Sequence, residues 1–176
     1  NPGKINYGAA APSSASTLEM LAFLRATGTE AVMIPYKGGA GPAVIGLLAS
    51  EVQMMMLTFS SVVNFVKQGR LRMVAVIQPG RNPALPDVPT MREQGINQTV
   101  GSWQGLFVPK GTPKSVVNRL YKVGVEMMKN PQVVKRLGDL GVSIVTSKSP
   151  AEFAAFVKSE TGRFGKVIKE ENIQTQ

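Results

Sequence analysis

The feature that most constrains this chain is an alternation. Short apolar, β-rich runs are followed repeatedly by segments with helical periodicity. "KINYG" reads as a strand ending at a turn. Residues 14–26 read as a helix, with Leu18, Leu21 and Ala22 at i, i+3 and i+4 and with Ser16 and Glu19 at capping-box spacing. "AVMIPY" reads as a second strand, stopped by "KGGAG". Pro42 suits the first turn of the next helix, which is expected to pack through Val44, Leu47 and Leu48. "VQMMML" is apolar on both faces, the pattern of a strand buried in a parallel sheet, with Met54 to Met56 as core packing. Residues 61–68 predict a short helix with Val62, Phe65 and Val66 inward, ended by Gly69, and "LRMVAVI" predicts a fourth strand. This β-α-β-α-β-α-β order specifies helices packed on a mostly parallel sheet, an α/β class.

The rhythm breaks at "QPGRNPALPDVP", whose four prolines mark a crossover. Thr90 and Glu93 are then placed to cap one helical turn. "SWQGLFV" predicts a strand, and Thr112 and Pro113 open a long helix to about Lys129, broken at Asn130-Pro131. A shorter helix ends at Gly141, and "VSIVT" predicts another strand. Ser149, Pro150 and Glu152 cap a last helix with Phe153, Phe156, Val157, Phe164 and Val167 on its buried side. Trp103, the single tryptophan, is expected in the core or a hinge, with a cleft wall as the alternative. The opening "NPG" has a helix-ending pattern with no helix before it.

Two absences bound the chemistry. The 176 residues include no His and no Cys. That excludes Ser-His and Cys-His nucleophile activation, thiolate chemistry and nearly all zinc and copper sites, so no catalytic residue, metal or cofactor is assigned. The formal charge is +9, from 20 Lys and Arg against 11 acids, but the cations are scattered. Even "GRLR" and "KNPQVVKR" carry none of the aromatic interleaving of a single-strand binder, so a solvated basic surface is expected rather than nucleic-acid binding. No apolar run reaches the ~18 residues of a membrane helix.

In open α/β sheets, ligands bind beyond the carboxyl ends of the strands. Three loops here follow strands and lead into helices: "GAAAPSS", "KGGAG" and "TFSS". Small residues there let backbone N–H groups approach a ligand, and the helix dipole favours an anion. Ser13, Ser14 and Thr17 add hydroxyls, and Lys37 adds a positive charge. The plain alternative is that these serines and threonines only cap helices and the glycines only turn the chain. Neither the P-loop pattern nor the dinucleotide fingerprint is present. A Ser-Lys hydrolase using Ser14 and Lys37 is an enzymatic alternative, but no S-x-x-K spacing links the two.

The segments "KINYGAAAPSSAS", "IPYKGGAGPA", "GRLRMVAV", "PALPDVPTMREQG", "WQGLFVPKGTP" and "SPAEFAAFVKSETGRFGKVIKEENI" resemble, in order and over nearly the whole chain, the Bug-type solute receptors. These are periplasmic binding proteins associated with tripartite tricarboxylate transporters. The resemblance implies a periplasmic-binding-protein-like, two-lobed clamp with mostly parallel sheets and a ligand in the cleft. It implies a periplasmic location, a small organic acid or amino-acid-like ligand, and membrane permease subunits as partners. The effector-sensing domain of a regulatory system is the alternative that shares such folds. Site residues implied are Ala9, Ala10, Ala11, Pro12, Ser13, Ser14 and Thr17 in the first loop, Tyr36, Lys37, Gly38 and Gly39 in the second, and Thr58 in the third.

Departures from the family pattern shape the expectation. Alanines stand at positions 9–11 where serines and glycines are usual, and the "KGGAGPA" loop is one residue longer than the common form. Gly46 replaces a frequent acid and Leu57 a frequent Asp, which points to a less polar ligand or one without an amine. The resemblance also implies a signal peptide and a first-lobe segment ahead of the region matched, so the first lobe is expected to be incomplete. On that reading residues 1–78 form most of the second lobe, 79–100 the interlobe crossover and 101–176 the returning part of the first. Uncovered apolar surface and open sheet edges would follow, through truncation or processing, or with self-association or another partner covering them.

Overall fold

The computed structural model describes residues 3–99, 101–170 and 173. Of the opening "NPG", Asn1 and Pro2 lie outside the described residues. The elements are β1 (Asn6–Ala9), α1 (Ala15–Thr27), β2 (Val32–Pro35), α2 (Ala40–Leu48), α3 (Phe59–Lys67), a 3-10 turn at Arg92–Gln94, α4 (Lys114–Met127), α5 (Pro131–Asp139) and α6 (Pro150–Glu170).

β1 and β2 pair in parallel, with Tyr7 opposite Met33 and Ala9 opposite Pro35. On the other side of β1 the "VQMMML" segment runs parallel. Tyr7 bridges Met54, Gly8 N donates to Met54 O at 3.1 Å, and Gln53 N donates to Asn6 O at 3.0 Å. The order across this ladder is therefore the Met54 segment, β1, β2. The centre is buried most deeply: Tyr7 and Ala9 of β1 pack with Met20 and Leu24 of α1, and Met54 and Met56 flank them half-buried. Gly8 is needed between those two core residues because the Met55 thioether lies on it, its Sδ 2.8 Å from where a Cβ would stand.

Four expected strands do not form in full. "VQMMML" contributes a single bridge; Val52 is buried, but Gln53 is exposed and residues 54–57 are half-buried rather than enclosed on both faces. "LRMVAVI" supplies only Val76, bridged to Thr90, and leaves Val74 68% exposed. "SWQGLFV" and "VSIVT" form no strand, with Leu106, Phe107 and Val145 largely exposed. A strand is defined by its hydrogen-bonded neighbour, and the described chain places none beside these segments. The α4 stripe Val116, Leu120, Val123 and Met127 is exposed in the same way, so α4 and α5 bury no residue fully.

Helix ends were more legible. Ser14 caps α1, its Oγ accepting from Thr17 N at 3.3 Å, and Gly28 closes the helix with φ 62°. The Ser16–Glu19 capping box does not form. Glu19 is only 2% exposed and turns inward to Arg163. The box at Thr90 and Glu93 forms in both directions: Thr90 N donates to Glu93 Oε2 at 2.7 Å, and Glu93 N donates to Thr90 Oγ1 at 3.1 Å. Asn130 caps α5 through Gln132 N, and Ser149 caps α6 through Glu152 N.

The face of α6 expected to be buried is half-buried at Phe153, Phe156, Val157 and Phe164 and buried at Val167. Phe153 and Phe156 receive Trp103 in edge-on contacts, with ring centroids 5.9 and 5.2 Å apart, which makes Trp103 a packing residue. The same helix carries the main polar tie across the chain. Arg163 Nη2 donates to Glu19 Oε1 and to Glu160 Oε2, each at 2.7 Å. Both carboxylates are buried, while the guanidinium keeps 30% of its exposure. Burial by itself would lower the Arg163 pKa, but its hydrogen bonds to Glu19 and Glu160 outweigh this and leave it above the ordinary value. Gln98 adds its amide, donating from Nε2 to the Glu19 carbonyl at 3.0 Å and to the Glu19 carboxylate.

Removing the cation would strand two buried acids. Arg163→Met should therefore cost about 3 kcal/mol in urea unfolding, the low end of the range because the guanidinium is partly exposed. Arg163→Lys should recover only part of the loss.

The Thr90–Glu93 box gives a pH test. The hydrogen bond from Thr90 N, helped by Arg81, holds the Glu93 carboxyl below its usual 4.5. A depressed acid contributes stability above that usual value and loses it as pH falls through the lower folded value. NMR titration should place Glu93 below 4.5, and Thr90→Ala, which removes the hydroxyl donor but keeps the main-chain one, should move it only part of the way back.

Candidate functional site

Parallel pairing decides where the loops go. Because β1, β2 and the Met54 segment run the same way, the chain leaves all three at one edge of the ladder. The loops 10–14, 36–39 and 57–58 therefore meet at that edge, each entering a helix: α1, α2 and α3. The convergence expected from the sequence is present.

The first loop is a closed turn. Ser14 N donates to Ala11 O at 3.1 Å, and Thr17 Oγ1 donates to the same carbonyl at 2.7 Å. Ser14 Oγ lies 2.9 Å from Thr17 Oγ1 and 3.2 Å from Ser16 Oγ. Ala11, Pro12 and Ser13 are exposed, and Ala10 and Ser14 half-buried. Two predicted residues play another part. Ala9 is 1% exposed and belongs to the core, its carbonyl accepting from Tyr36 N at 2.8 Å. Thr17 is 3% exposed, and its hydroxyl is spent on locking the turn.

The second loop carries the unusual backbone. Gly38 has φ 95°, and Gly39, the residue before α2, has φ 87° and ψ −151°, a region essentially closed to side chains. Gly39 has no side chain to cap α2, and Thr58 makes no side-chain cap bond to α3. The first-turn N–H groups of α2 and α3 thus lack the side-chain acceptor that Ser14 supplies to α1. Such groups carry partial positive charge and take anions readily. Lys37 is exposed beside them. Thr58 is exposed, its Oγ1 donating to Ser61 Oγ at 3.2 Å.

Tyr36 is placed differently from expectation. Its side chain runs back along α2 and its hydroxyl donates to Glu51 Oε2 at 3.0 Å, at the far end of that helix from the loop. The phenol is thus directed away from the loop edge. The Tyr36 pKa lies above 10.0, through desolvation first and the Glu51 carboxylate second. An isolated glycine inside a helical pattern, Gly46, was the sequence signal for this close approach.

Among the described residues no group of three or more acids gathers as a metal site, and no helix is long and apolar enough to cross a membrane. What the edge offers is main-chain donors, hydroxyls and one lysine. Each of these groups can donate a hydrogen bond to an anion. Gly39→Ala should cost about 1–3 kcal/mol, because alanine cannot adopt this backbone without strain, and thermal unfolding would show the loss.

The chain resembles known proteins over nearly its full length. The sequence profile described as "Tripartite tricarboxylate transporter family receptor" matches residues 1–173. A UPF0065 protein from the tcbD-tcbE intergenic region of a Pseudomonas species is 36% identical over 97% of this chain and 51% of its own length. Protein BugT of Bordetella pertussis is 31% identical over 96% of this chain and 52% of its own. An R. palustris protein solved with adipate superposes at TM-score 0.80 with 27% identity, over 96% of this chain and 56% of that one. MatC from Rhodopseudomonas palustris with bound malate superposes at 0.75 with 30% identity, over 94% and 57%. The chain thus spans about half the length of the curated relatives it matches.

Proposed function

The chain belongs to the tripartite tricarboxylate transporter family of receptors, and from that premise we propose that it binds a small carboxylate and serves as the capture component of such a transporter. The observation that carries the reading is the meeting of three loops at one edge of a parallel ladder. Two of them lead into helices whose first amides have no side-chain cap. A carboxylate laid there would accept from main-chain N–H groups near Gly38, Gly39 and Thr58, with Ser13 and Ser14 hydroxyls to one side and the Lys37 ammonium providing charge. The acids bound by two structural neighbours, adipate and malate, fit this class of ligand.

The wider role follows from the family. In this reading the receptor works in the periplasm, as its relatives among periplasmic binding proteins do, and closes around the acid before presenting it to membrane permease subunits. The region 1–78 supplies the loops described above, and 101–176 belongs to the opposing lobe. Ala10 and Ala11 contribute no side-chain hydrogen bonds, so recognition on that side rests on the backbone and Ser13 or Ser14. Such a wall suits an acid whose remaining groups are weakly polar.

Calorimetry of the intact receptor with malate and adipate tests the site. Lys37→Ala and Ser14→Ala should each weaken binding roughly tenfold, the equivalent of one charge-assisted hydrogen bond. Unchanged affinity in both variants would remove these loops from the site.

A further inference from the structure

The second loop is held by a device that lies outside the cleft. Tyr36 is the residue at which the chain turns from β2 into Lys37, Gly38 and Gly39. Its backbone is pinned to the first loop's strand, Tyr36 N donating to Ala9 O at 2.8 Å. Its ring lies against Gly46, a buried glycine in the interior of α2. A Cβ at position 46 would stand 2.5 Å from Tyr36 Cζ, 2.7 Å from Cε1 and closer still to the hydroxyl, so any side chain there would displace this ring.

The hydroxyl is fixed as firmly as the ring. It donates to Glu51 Oε2 at 3.0 Å, and Glu51 N in turn donates to Gly46 O at 2.9 Å. Glu51 is thereby fastened to the residue that floors the tyrosine. The turn that brings it there passes through Ser50, whose φ of 62° is the only positive value at a non-glycine among the described residues. Left-handed backbone is unfavourable for serine, and here it is the common left-handed close of a helix, with Ser50 N donating to Leu47 O at 3.1 Å and Glu51 N to Gly46 O. A glycine inside a helix is unfavourable too. The glycine leaves the seat that the Tyr36 ring occupies, which marks that contact as the feature Gly46 serves.

We propose that Tyr36 is a positioning residue: seated in the notch at Gly46 and bonded to Glu51, it sets the direction in which Lys37–Gly39 leaves β2 and so tunes the affinity of the site for a carboxylate. The inference rests on the proposed carboxylate site for its second half only. Gly38 and Gly39, with φ of 95° and 87°, impose few limits of their own on the loop. Without an anchor their amides would sample many directions, and an anion would have to order them on binding. Anchoring the preceding residue at its backbone, ring and hydroxyl removes much of that freedom beforehand.

The test pairs a local readout with a binding one. In the intact receptor, amide hydrogen exchange is measured across residues 36–45, with α1 as internal reference, alongside calorimetry with malate and adipate. Gly46→Ala should unseat the ring, raise exchange at residues 37–40 at least tenfold, leave α1 unchanged and weaken acid binding about tenfold. Tyr36→Phe keeps the ring and loses the hydroxyl bond, so it should show a smaller rise, and Glu51→Gln should bring the tyrosine titration closer to 10.0. If Gly46→Ala fails to fold, Tyr36→Phe and Tyr36→Leu carry the comparison. A purely structural tyrosine would raise exchange in α1 as much as in the loop, and that result overturns the proposal. So does unchanged loop exchange, or a loosened loop with affinity within twofold of the unaltered receptor. Should the unaltered receptor bind neither acid, the carboxylate reading fails with those ligands, and loop exchange alone decides whether Tyr36 positions the loop.

Discussion

Arg163 joins two parts of the chain that lie 144 residues apart, and α1 is held in place by that joint. Glu19 sits one turn beyond the start of α1, buried beside the core residues Leu18 and Met20. A carboxylate in that position needs a cation, and the cation comes from the final helix. The pair costs desolvation to bury, so it adds less to stability than its geometry implies. Its larger effect is on orientation. α1 is tied at its polar side by Arg163 and Gln98 and at its apolar side by Tyr7 and Ala9, and its first residues close the loop that holds Ser14. Rotation of α1 would break one tie or the other, so the first loop is set by contacts that lie behind it.

The second loop is managed by the opposite means. It has glycines where the first has hydroxyls, and nothing of its own fixes the backbone. Its stability is borrowed from Tyr36, whose ring and hydroxyl reach back to Gly46 and Glu51. The contrast explains how a ladder of four-residue strands keeps three loops in register. The first two loops are each held by contacts that lie behind them. The proposed anion site benefits from that arrangement, because an acceptor side chain at the tip of the second loop would compete for the same N–H groups.

How much was legible depended on the range of the interaction. The Thr90–Glu93 box, the Ser149 cap and the Gly69 and Gly141 stops rest on residues a few positions apart, and the sequence shows them directly. Ser16 and Glu19 had the same spacing as a true box, yet Glu19 was claimed by a partner that no local pattern reveals. "SWQGLFV" and "VSIVT" have strand composition without strand pairing, since the composition belongs to the segment and the pairing belongs to its neighbour. The convergence of the three loops was foreseeable from strand order. The diversion of Ala9 and Thr17 into core and turn, and of Tyr36 onto α2, was not.

The sequence by itself determined the α/β class, the positions of most helices, the absence of His and Cys chemistry and the three side-chain-poor turns between apolar runs and helices. Those are consequences of residue type and short spacing, which the chain carries wherever it goes. Only the tertiary structure decided which hydroxyls face the loop edge and which are consumed in holding it, which strands find partners, and where the buried charge of Glu19 is answered. These outcomes depend on groups brought together from distant positions, and burial assigns each polar atom to the neighbour that can satisfy it.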